Sequence, residues 1–189
     1  NQLYNIDDGA FGGLRNLTAL TLSSCGVYGS VLRQSLFRNL SLLTTLDLSY
    51  NSIYTLGNSS FAGLTSLQTL SLYGSGIGSV DPNTFAELTA LTVLSMQSNS
   101  LYTLYSNMFY GMSSLRELNL MYSSIYSVQE YAFNGLTSLM TLSLYGNGIS
   151  MLPNDMSAGM WALRTLDMSS NSITAVGKYA FRELTSLRW

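Results

Sequence analysis

The chain has 189 residues, a length that usually corresponds to one domain. Charged residues make up 10% of it, the net charge is −2 and histidine is absent, which excludes histidine-based catalysis and histidine metal sites. Because there is no basic field, we expect no nucleic-acid partner, and because no apolar run reaches about 18 residues, we expect no membrane insertion in this segment.

The dominant pattern is a run of spaced leucines that returns at a fixed interval. Each run has the form L-x-x-L-x-L-x-x-N, as in Leu43 to Asn51 and in Leu163 to Asn171. The interval is 26 residues once and 24 residues thereafter, which is typical of a solenoid whose units bury apolar faces on their neighbours. The second leucine of the run recurs at Leu20, Leu46, Leu70, Leu94, Leu118, Leu142 and Leu166.

Each unit contains one short strand. Leu46 and Leu48 alternate with polar residues, the period of a half-buried strand, and identical units running in one direction give parallel strands with return crossovers. The sequence therefore predicts an α/β solenoid: a horseshoe with a parallel concave sheet and an irregular or short-helical convex side. We expect one array over residues 1–189, of about seven and a half units, without caps and hence a piece of a longer chain.

Two further ladders follow the same period. Asparagine ends the strand at Asn51, Asn99, Asn147 and Asn171, where its side chain is expected to bond backbone groups of neighbouring turns. Ser75, Ser123 and Cys25 occupy this slot in the other units, which predicts a weaker ladder there and a buried free thiol. Phenylalanines recur on the convex side at Phe11, Phe37, Phe61, Phe85, Phe109, Phe133 and Phe181.

The unit from Leu43 to Leu64 resembles the typical 24-residue class of leucine-rich repeats, with Leu46, Leu48, Asn51 and Ile53 in the matching places. This class is similar to the ectodomains of Toll-type receptors, variable lymphocyte receptors, small matrix proteoglycans and neuronal adhesion proteins. The resemblance implies a secreted or cell-surface, non-enzymatic protein without cofactors that binds its partner on the concave sheet.

Tyrosines stand out on the predicted concave face. The block from Tyr50 to Val80 is echoed 72 residues later from Tyr122 to Leu152, and each copy places two tyrosines on adjacent strands. A protein or glycan ligand could stack on such pairs, although strand tyrosines also pack on each other without a ligand. The predicted contact residues are Tyr50, Tyr73, Gln97, Asn119, Tyr122 and Tyr145.

A second row of tyrosines follows the isoleucine slot at one edge of the solenoid. An exposed aromatic row favours lateral contact, so a structural segment of an extracellular fibre or matrix is the alternative function, with self-association of the chain. Stacking of half-buried rings along the solenoid is the competing explanation. The row consists of Tyr4, Tyr28, Tyr54, Tyr102 and Tyr126.

Three N-glycosylation sequons lie outside the strands, at Asn16, Asn39 and Asn58. Asn39 and Asn58 are the better candidates, because Asn16 directly precedes a core leucine. Modification there would place the protein in the secretory pathway, outside the cell or at its surface. Asp47, Glu117 and Asp167 are too dispersed for a catalytic pair or a metal site, so an enzyme is not expected.

Overall fold

The computed structural model describes residues 2–32 and 36–188, and its main element is a seven-stranded parallel β-sheet. Successive units supply adjacent strands, and the same leucine of each unit lies opposite its counterpart, as with Leu20 and Leu46 or Leu142 and Leu166. This constant register confirms the predicted parallel solenoid. The strands are Ala19–Thr21, Thr45–Asp47, Thr69–Ser71, Val93–Ser95, Glu117–Asn119, Thr141–Ser143 and Thr165–Asp167.

A second row of shorter strands follows the sheet and pairs the units two by two. Each of these ladders is parallel and links one unit to the next along the chain. Within residues 2–32 and 36–188 the one helical segment is the 3-10 turn Gly29–Val31, so the crossovers on the convex side are built from turns. The pairs are Thr55–Leu56 with Ser79–Val80, Thr103–Leu104 with Ser127–Val128, and Met151–Leu152 with Ala175–Val176.

The core is a continuous column of leucines backed by a stack of phenylalanines. Leu46 and Leu48 are completely buried, because the units above and below cover the inward face of the strand. Each such side chain contributes about 1.5 to 3 kcal/mol before conformational entropy is subtracted. Neighbouring phenylalanine rings are nearly parallel, with centroids 5.9 Å apart for Phe109 and Phe133. Where the stack lacks a phenylalanine, Met156 is fully buried instead.

Asparagine in the slot after the strand bonds the backbone of two units, as predicted. The Oδ1 atom of Asn147 accepts hydrogen bonds from the backbone N–H groups of Ser123 and Ile125, both at 3.0 Å. Its Nδ2 group donates to the carbonyl oxygens of Leu120 and Leu144, both at 2.9 Å. One buried side chain therefore bonds four backbone groups, three of which have no other partner among the described residues. The fourth, the carbonyl of Leu144, also accepts a bond from Asn171.

Serine in the same slot makes a different set of hydrogen bonds. The difference goes beyond the weaker side-chain ladder that the sequence predicted. The Ser75 hydroxyl donates to the carbonyl of Leu48 at 2.9 Å, but it does not reach the N–H of Ile53. That N–H bonds the backbone carbonyl of Ser75 instead, at 2.9 Å. Ser123 repeats the arrangement with the N–H of Leu101, also at 2.9 Å. The side-chain ladder is weaker in these units, yet the N–H of the preceding unit stays paired.

The choice of acceptor is accompanied by a change in backbone conformation. The residue that follows a serine slot has a positive φ, as in Gly76 (67°) and Ser124 (52°). In the unit before each serine slot, one tyrosine also has a positive φ, namely Tyr54 (56°) and Tyr102 (53°). The residue before the slot has a positive φ in every unit, through Ser24, Tyr50, Gly74, Ser98, Tyr122, Gly146 and Ser170. Left-handed backbone is uncommon for bulky side chains, so the tyrosines in it are held there by the surrounding structure.

Cys25 corrects one expectation. It is a free thiol, as predicted, but it is only partly buried, and its Sγ–H donates to the carbonyl of Ser23 at 3.3 Å. Its backbone carbonyl accepts the N–H of Leu3 in the manner of the serine slots, and its side chain packs against the edge of the core. Asn1 and Trp189, the ends of the predicted array, lie outside the described residues.

Candidate ligand-binding surface

Asn119 ends a sheet strand, and each of the other predicted contact residues follows a strand by two or three positions. The four tyrosines among them belong to two clusters. Tyr50 and Tyr122 are 58% and 55% exposed, whereas Tyr73 and Tyr145 are partly buried beside them. We define the first tyrosine cluster as Tyr50, Tyr54, Tyr73, Gly74 and Gly76. The second tyrosine cluster comprises the residues 72 positions later, Tyr122, Tyr126, Tyr145, Gly146 and Gly148.

Each cluster contains one pair of tyrosine rings in edge-to-face contact. The ring centroids of Tyr50 and Tyr73 are 4.7 Å apart at an interplanar angle of 84°, and those of Tyr122 and Tyr145 are 5.3 Å apart at 87°. Edge-to-face geometry is the arrangement that the ring quadrupole favours. Backbone bonds hold the partners together, since the N–H of Tyr50 bonds the carbonyl of Tyr73 at 2.7 Å.

The two hydroxyl groups of each pair are electrostatically coupled. Hydrogen bonding with Tyr73 raises the pKa of Tyr50 above the ordinary value of 10.0, and bonding from Tyr50 and then Ser98 lowers the pKa of Tyr73. Tyr145 raises the pKa of Tyr122 in the same way. The pKa of Tyr145 is lowered chiefly by Ser170 and then by Tyr122. Each pair thus contains one phenol that ionises more easily than the other.

The two predicted amide contacts are partly engaged within the protein. The Ser95 hydroxyl bonds the Oε1 atom of Gln97, and the N–H of Met121 bonds the Oδ1 atom of Asn119 at 3.1 Å. Both side chains are partly buried, and their NH₂ groups point to no described acceptor. The amides therefore present donors rather than acceptors to the concave side.

Ser143 is a residue of this surface that the sequence did not single out. Its Oγ atom is buried and has no hydrogen-bond partner among the described residues. It lies between Asn119 and Asp167 on the neighbouring strands, two residues before Tyr145. An unpaired buried hydroxyl costs about 1 to 3 kcal/mol, and nothing in a column of small polar residues would have indicated which one lacks a partner.

Glycines of each cluster lie directly under tyrosine rings of the preceding unit. A Cβ atom added at Gly74 would lie 3.3 Å from Cδ1 of Tyr50, and one at Gly76 would lie 3.1 Å from Cε1 of Tyr54. In the second cluster the rings are closer, so that a Cβ at Gly148 would overlap the ring of Tyr126. Glycine is thus the residue that lets these rings rest against the next turn of backbone.

The predicted edge tyrosines are exposed and partly stacked. Tyr4 contacts Tyr28 with centroids 6.2 Å apart, and Tyr102 contacts Tyr126 at the same distance. Stacking covers part of each ring, but the exposed fractions stay between 40% for Tyr28 and 58% for Tyr54. Both features that the sequence suggested, stacking along the solenoid and exposure at its edge, are present together.

The asparagines of all three sequons are exposed, at Asn16, Asn39 and Asn58. Ser60, which supplies the hydroxyl group of the third sequon, is buried and accepts a hydrogen bond from the N–H of Gly57 at 3.0 Å. Glycosylation at these positions remains a prediction.

Two other features, a metal-binding cluster and a membrane-spanning helix, are not found among the described residues. Among residues 2–32 and 36–188 no three His, Cys, Asp or Glu side chains are grouped so that they could hold a metal ion. Over the same ranges, no helix has the length and apolar character needed to span a bilayer.

Comparison with known proteins places the chain among receptor-like repeats. A stretch of 71 residues, 37% of this chain and 8% of its relative, is 42% identical to Toll-like receptor 5 of Homo sapiens. The fold is similar to a chain in the crystal structure of a TLR13–ssRNA13 complex, with a TM-score of 0.71 and 25% identity over 97% of this chain and 30% of that one. The chain therefore spans far less than two thirds of either relative.

The same comparison overturns the exclusion of nucleic acid. A protein with this fold has been crystallised with single-stranded RNA, so the low charge of the chain is not a ground for excluding such partners. Net charge is a sum over the whole chain and says nothing about local contacts. Bases of single strands can also stack on aromatic side chains, an interaction that needs no basic field.

The leucine pattern and the parallel sheet have a direct counterpart in one protein family. The leucine rich repeat profile matches residues 29–77, 67–125, 114–173 and 137–189, which together cover most of the chain. The buried leucines and asparagine slots from Leu43 to Asn171 lie within these ranges. The chain belongs to the leucine rich repeat family.

Proposed function

We propose that the chain is a non-enzymatic extracellular recognition module that binds a protein or glycan ligand on its concave face. The contact residues are the tyrosine pairs Tyr50 with Tyr73 and Tyr122 with Tyr145, together with the amide donors of Gln97 and Asn119. The relatives support a recognition role of this general kind, since they are receptors or receptor-like repeats.

One observation carries the proposal: bulky tyrosines occupy strained, exposed positions twice on the same face. Tyr50 and Tyr122 have positive φ values of 56° and 52° at a position that other units fill with serine or glycine. The left-handed conformation costs about 1 to 2 kcal/mol for a residue with a Cβ. Every unit has this backbone conformation, so what distinguishes these two positions is the exposed aromatic ring, and tyrosine is enriched at binding surfaces.

The unpaired hydroxyl of Ser143 supports the same surface. It lies under the second cluster, where a ligand or an ordered water could supply the missing bond. The exposed sequon asparagines are consistent with a secreted chain, because glycans there would leave the concave face open.

A binding screen with matched variants tests the proposal. The purified chain is applied to a glycan array, a displayed peptide library and single-stranded RNA, and each positive probe is then titrated by calorimetry. We expect the Tyr73→Ala/Tyr145→Ala variant to bind the positive probe at least about tenfold more weakly, a loss of about 1.4 kcal/mol. The control is Tyr105→Ala/Tyr110→Ala, which removes two tyrosines outside both clusters that are 57% and 56% exposed.

The outcome is decisive in either direction when both variants remain folded by circular dichroism. Equal affinity in the concave variant and the wild type would contradict the proposal. Weakening by the control variant alone would move the binding surface away from the sheet. A probe that is RNA would keep the concave face but replace the ligand class.

A second proposal is lateral assembly through the edge tyrosines, which the exposure of Tyr54 (58%), Tyr102 (56%) and Tyr126 (56%) favours. An exposed aromatic stripe promotes association in water. Sedimentation velocity should then show concentration-dependent association that the Tyr54→Ser/Tyr102→Ser variant lacks. A monomer that persists at millimolar concentration removes this role.

A further inference from the structure

A recess of about 390 Å³ opens beside the second tyrosine cluster, and it shares Tyr122 but not Tyr145 with the tyrosine pair. It lies where the chain leaves the strand, between one unit and the next. Its lining consists of Tyr122, Ser124, Tyr126, Gly146, Asn147 and Gly148.

Two aromatic rings form the walls of this recess. Tyr122 and Tyr126 are 55% and 56% exposed, so each ring keeps one face open while its edge rests on a glycine of the next unit. Because Gly146 and Gly148 carry no side chain, the floor between the rings is bare backbone. The walls are therefore flat and, apart from their hydroxyl groups, apolar.

The polar groups available in the recess are few and uncharged. Asn147 cannot bind a ligand through its amide, because both of its polar atoms already bond backbone groups of two units. Ser124 is only partly buried, has a positive φ of 52°, and makes no hydrogen bond with the residues that the structure describes. The free donors and acceptors are thus the hydroxyls of Ser124 and Tyr126, because the hydroxyl of Tyr122 bonds that of Tyr145.

This combination fits a neutral sugar ring. The C–H face of a pyranose is apolar and packs on an aromatic ring, while its hydroxyls need partners such as a serine or a phenol. No lysine or arginine lines the recess, so a phosphate or carboxylate there would lack a cation. Resting on the proposed function, we infer that the recess binds one uncharged monosaccharide residue of a glycan and so extends the concave site toward the edge.

Saturation-transfer NMR and calorimetry with defined oligosaccharides test this inference. The probes are maltohexaose, cellohexaose, chitohexaose and mannohexaose, with single-stranded RNA as the charged comparison. We expect one of the hexasaccharides to bind the wild-type chain. Tyr126→Ala should then weaken it at least about tenfold, whereas Tyr126→Phe, which keeps the ring, should retain binding within about threefold.

Gly148→Ala provides a variant that alters the recess without deleting a ligand contact. Gly148 does not have a positive φ, so alanine is compatible with its backbone, but the new Cβ would overlap the Tyr126 ring and displace it. Binding should fall about as far as in Tyr126→Ala. The matched control is Gly13→Ala, because a Cβ at that exposed glycine would have no heavy atom within 4 Å.

Failure of this inference can be distinguished from failure of the proposed function. A hexasaccharide that is lost with Tyr73→Ala/Tyr145→Ala but unaffected by Tyr126→Ala and Gly148→Ala would overturn the recess and leave the concave face as the site. Absence of binding by all four hexasaccharides, or RNA that binds more tightly and is lost with Tyr126→Ala, would overturn the sugar assignment. Loss with Tyr126→Ala and Gly148→Ala together, with Gly13→Ala unchanged, would support it.

Discussion

The first and second tyrosine clusters have nearly the same sequence but different backbones. In the first, Asn51 precedes Ser75 in the slot ladder, whereas in the second, Ser123 precedes Asn147. The N–H of Ile53 consequently bonds a backbone carbonyl, and the N–H of Ile125 bonds an asparagine side chain. The left-handed residues change with it, from Tyr54 and Gly76 to Ser124.

The contrast teaches that the slot residue decides how a surface two or three positions away is shaped. Both alternatives keep the buried N–H paired, so both are compatible with a stable stack. They differ in where the tyrosine rings lie on the glycines below them, and the recess is found beside the second cluster. A small scaffold difference therefore separates two copies of one surface motif.

Removing the asparagine should give the largest effect on this comparison. Asn147→Ala leaves the N–H groups of Ser123 and Ile125 and the carbonyl of Leu120 without partners, so we expect the free energy of unfolding to fall by about 3 kcal/mol. The carbonyl of Leu144 keeps its bond from Asn171. Ser75→Ala loses the bond to the carbonyl of Leu48 and should cost only about 1 kcal/mol. Urea unfolding followed by circular dichroism measures both values.

Asn147→Ser serves as the control for that experiment, because it would allow the second cluster to adopt the backbone of the first. Its loss of stability should lie between those of the two alanine variants. If Asn147→Ala and Ser75→Ala lowered the free energy of unfolding equally, this would contradict the expected difference between an asparagine side chain and a backbone carbonyl as the acceptor.

Alanine substitution of the glycines should show a smaller difference in the free energy of unfolding between the two clusters. Gly76 has a positive φ of 67°, so Gly76→Ala should lower the free energy of unfolding by about 1 to 2 kcal/mol. Gly148→Ala carries no such strain, and the exposed ring of Tyr126 can swing aside, so its cost should be below about 0.5 kcal/mol. The same urea titrations apply, and a greater loss at Gly148 than at Gly76 would contradict the assigned backbones.

The smallest expected difference between the two clusters is in the pKa values of their tyrosine pairs. Tyr50 is the main cause of the lowered pKa of Tyr73, whereas Ser170 is the main cause at Tyr145. Tyr50→Phe should therefore move the pKa of Tyr73 upward more than Tyr122→Phe moves that of Tyr145. NMR titration of the Tyr73 and Tyr145 ring resonances above and below pH 10.0 reports both shifts. Similar shifts in the two variants would show that the serine contributes nothing.

Most of the scaffold could be predicted from the leucine spacing. Because a strand buries every second residue, Leu46 and Leu48 identified the inward face and the fixed register in advance. The asparagine bonds followed from the same logic, since buried backbone groups need partners. The pairing of the tyrosine rings also followed, but all four tyrosines lie in the turns after the strands and not on the strands themselves.

The shape of the candidate site could not be predicted in the same way. That Ser75 offers its backbone carbonyl depends on φ values that the leucine period does not constrain. The one available signal was the glycine on either side of the slot, in Gly74 with Gly76 and Gly146 with Gly148, which indicates backbone approached closely by a neighbour. The nucleic-acid exclusion failed for another reason, because composition averages over surfaces that act locally.

The short outer strands give the stack a grouping that the sheet does not show. They link units only in twos, through Thr55–Leu56 with Ser79–Val80, Thr103–Leu104 with Ser127–Val128, and Met151–Leu152 with Ala175–Val176. Between these ladders the described outer edge is joined by single bonds such as that from Ser100 to Ile77. We expect local opening to involve these pairs of units, so that the amide protons of two paired units exchange together with solvent. The opening of one pair should not extend into the next pair.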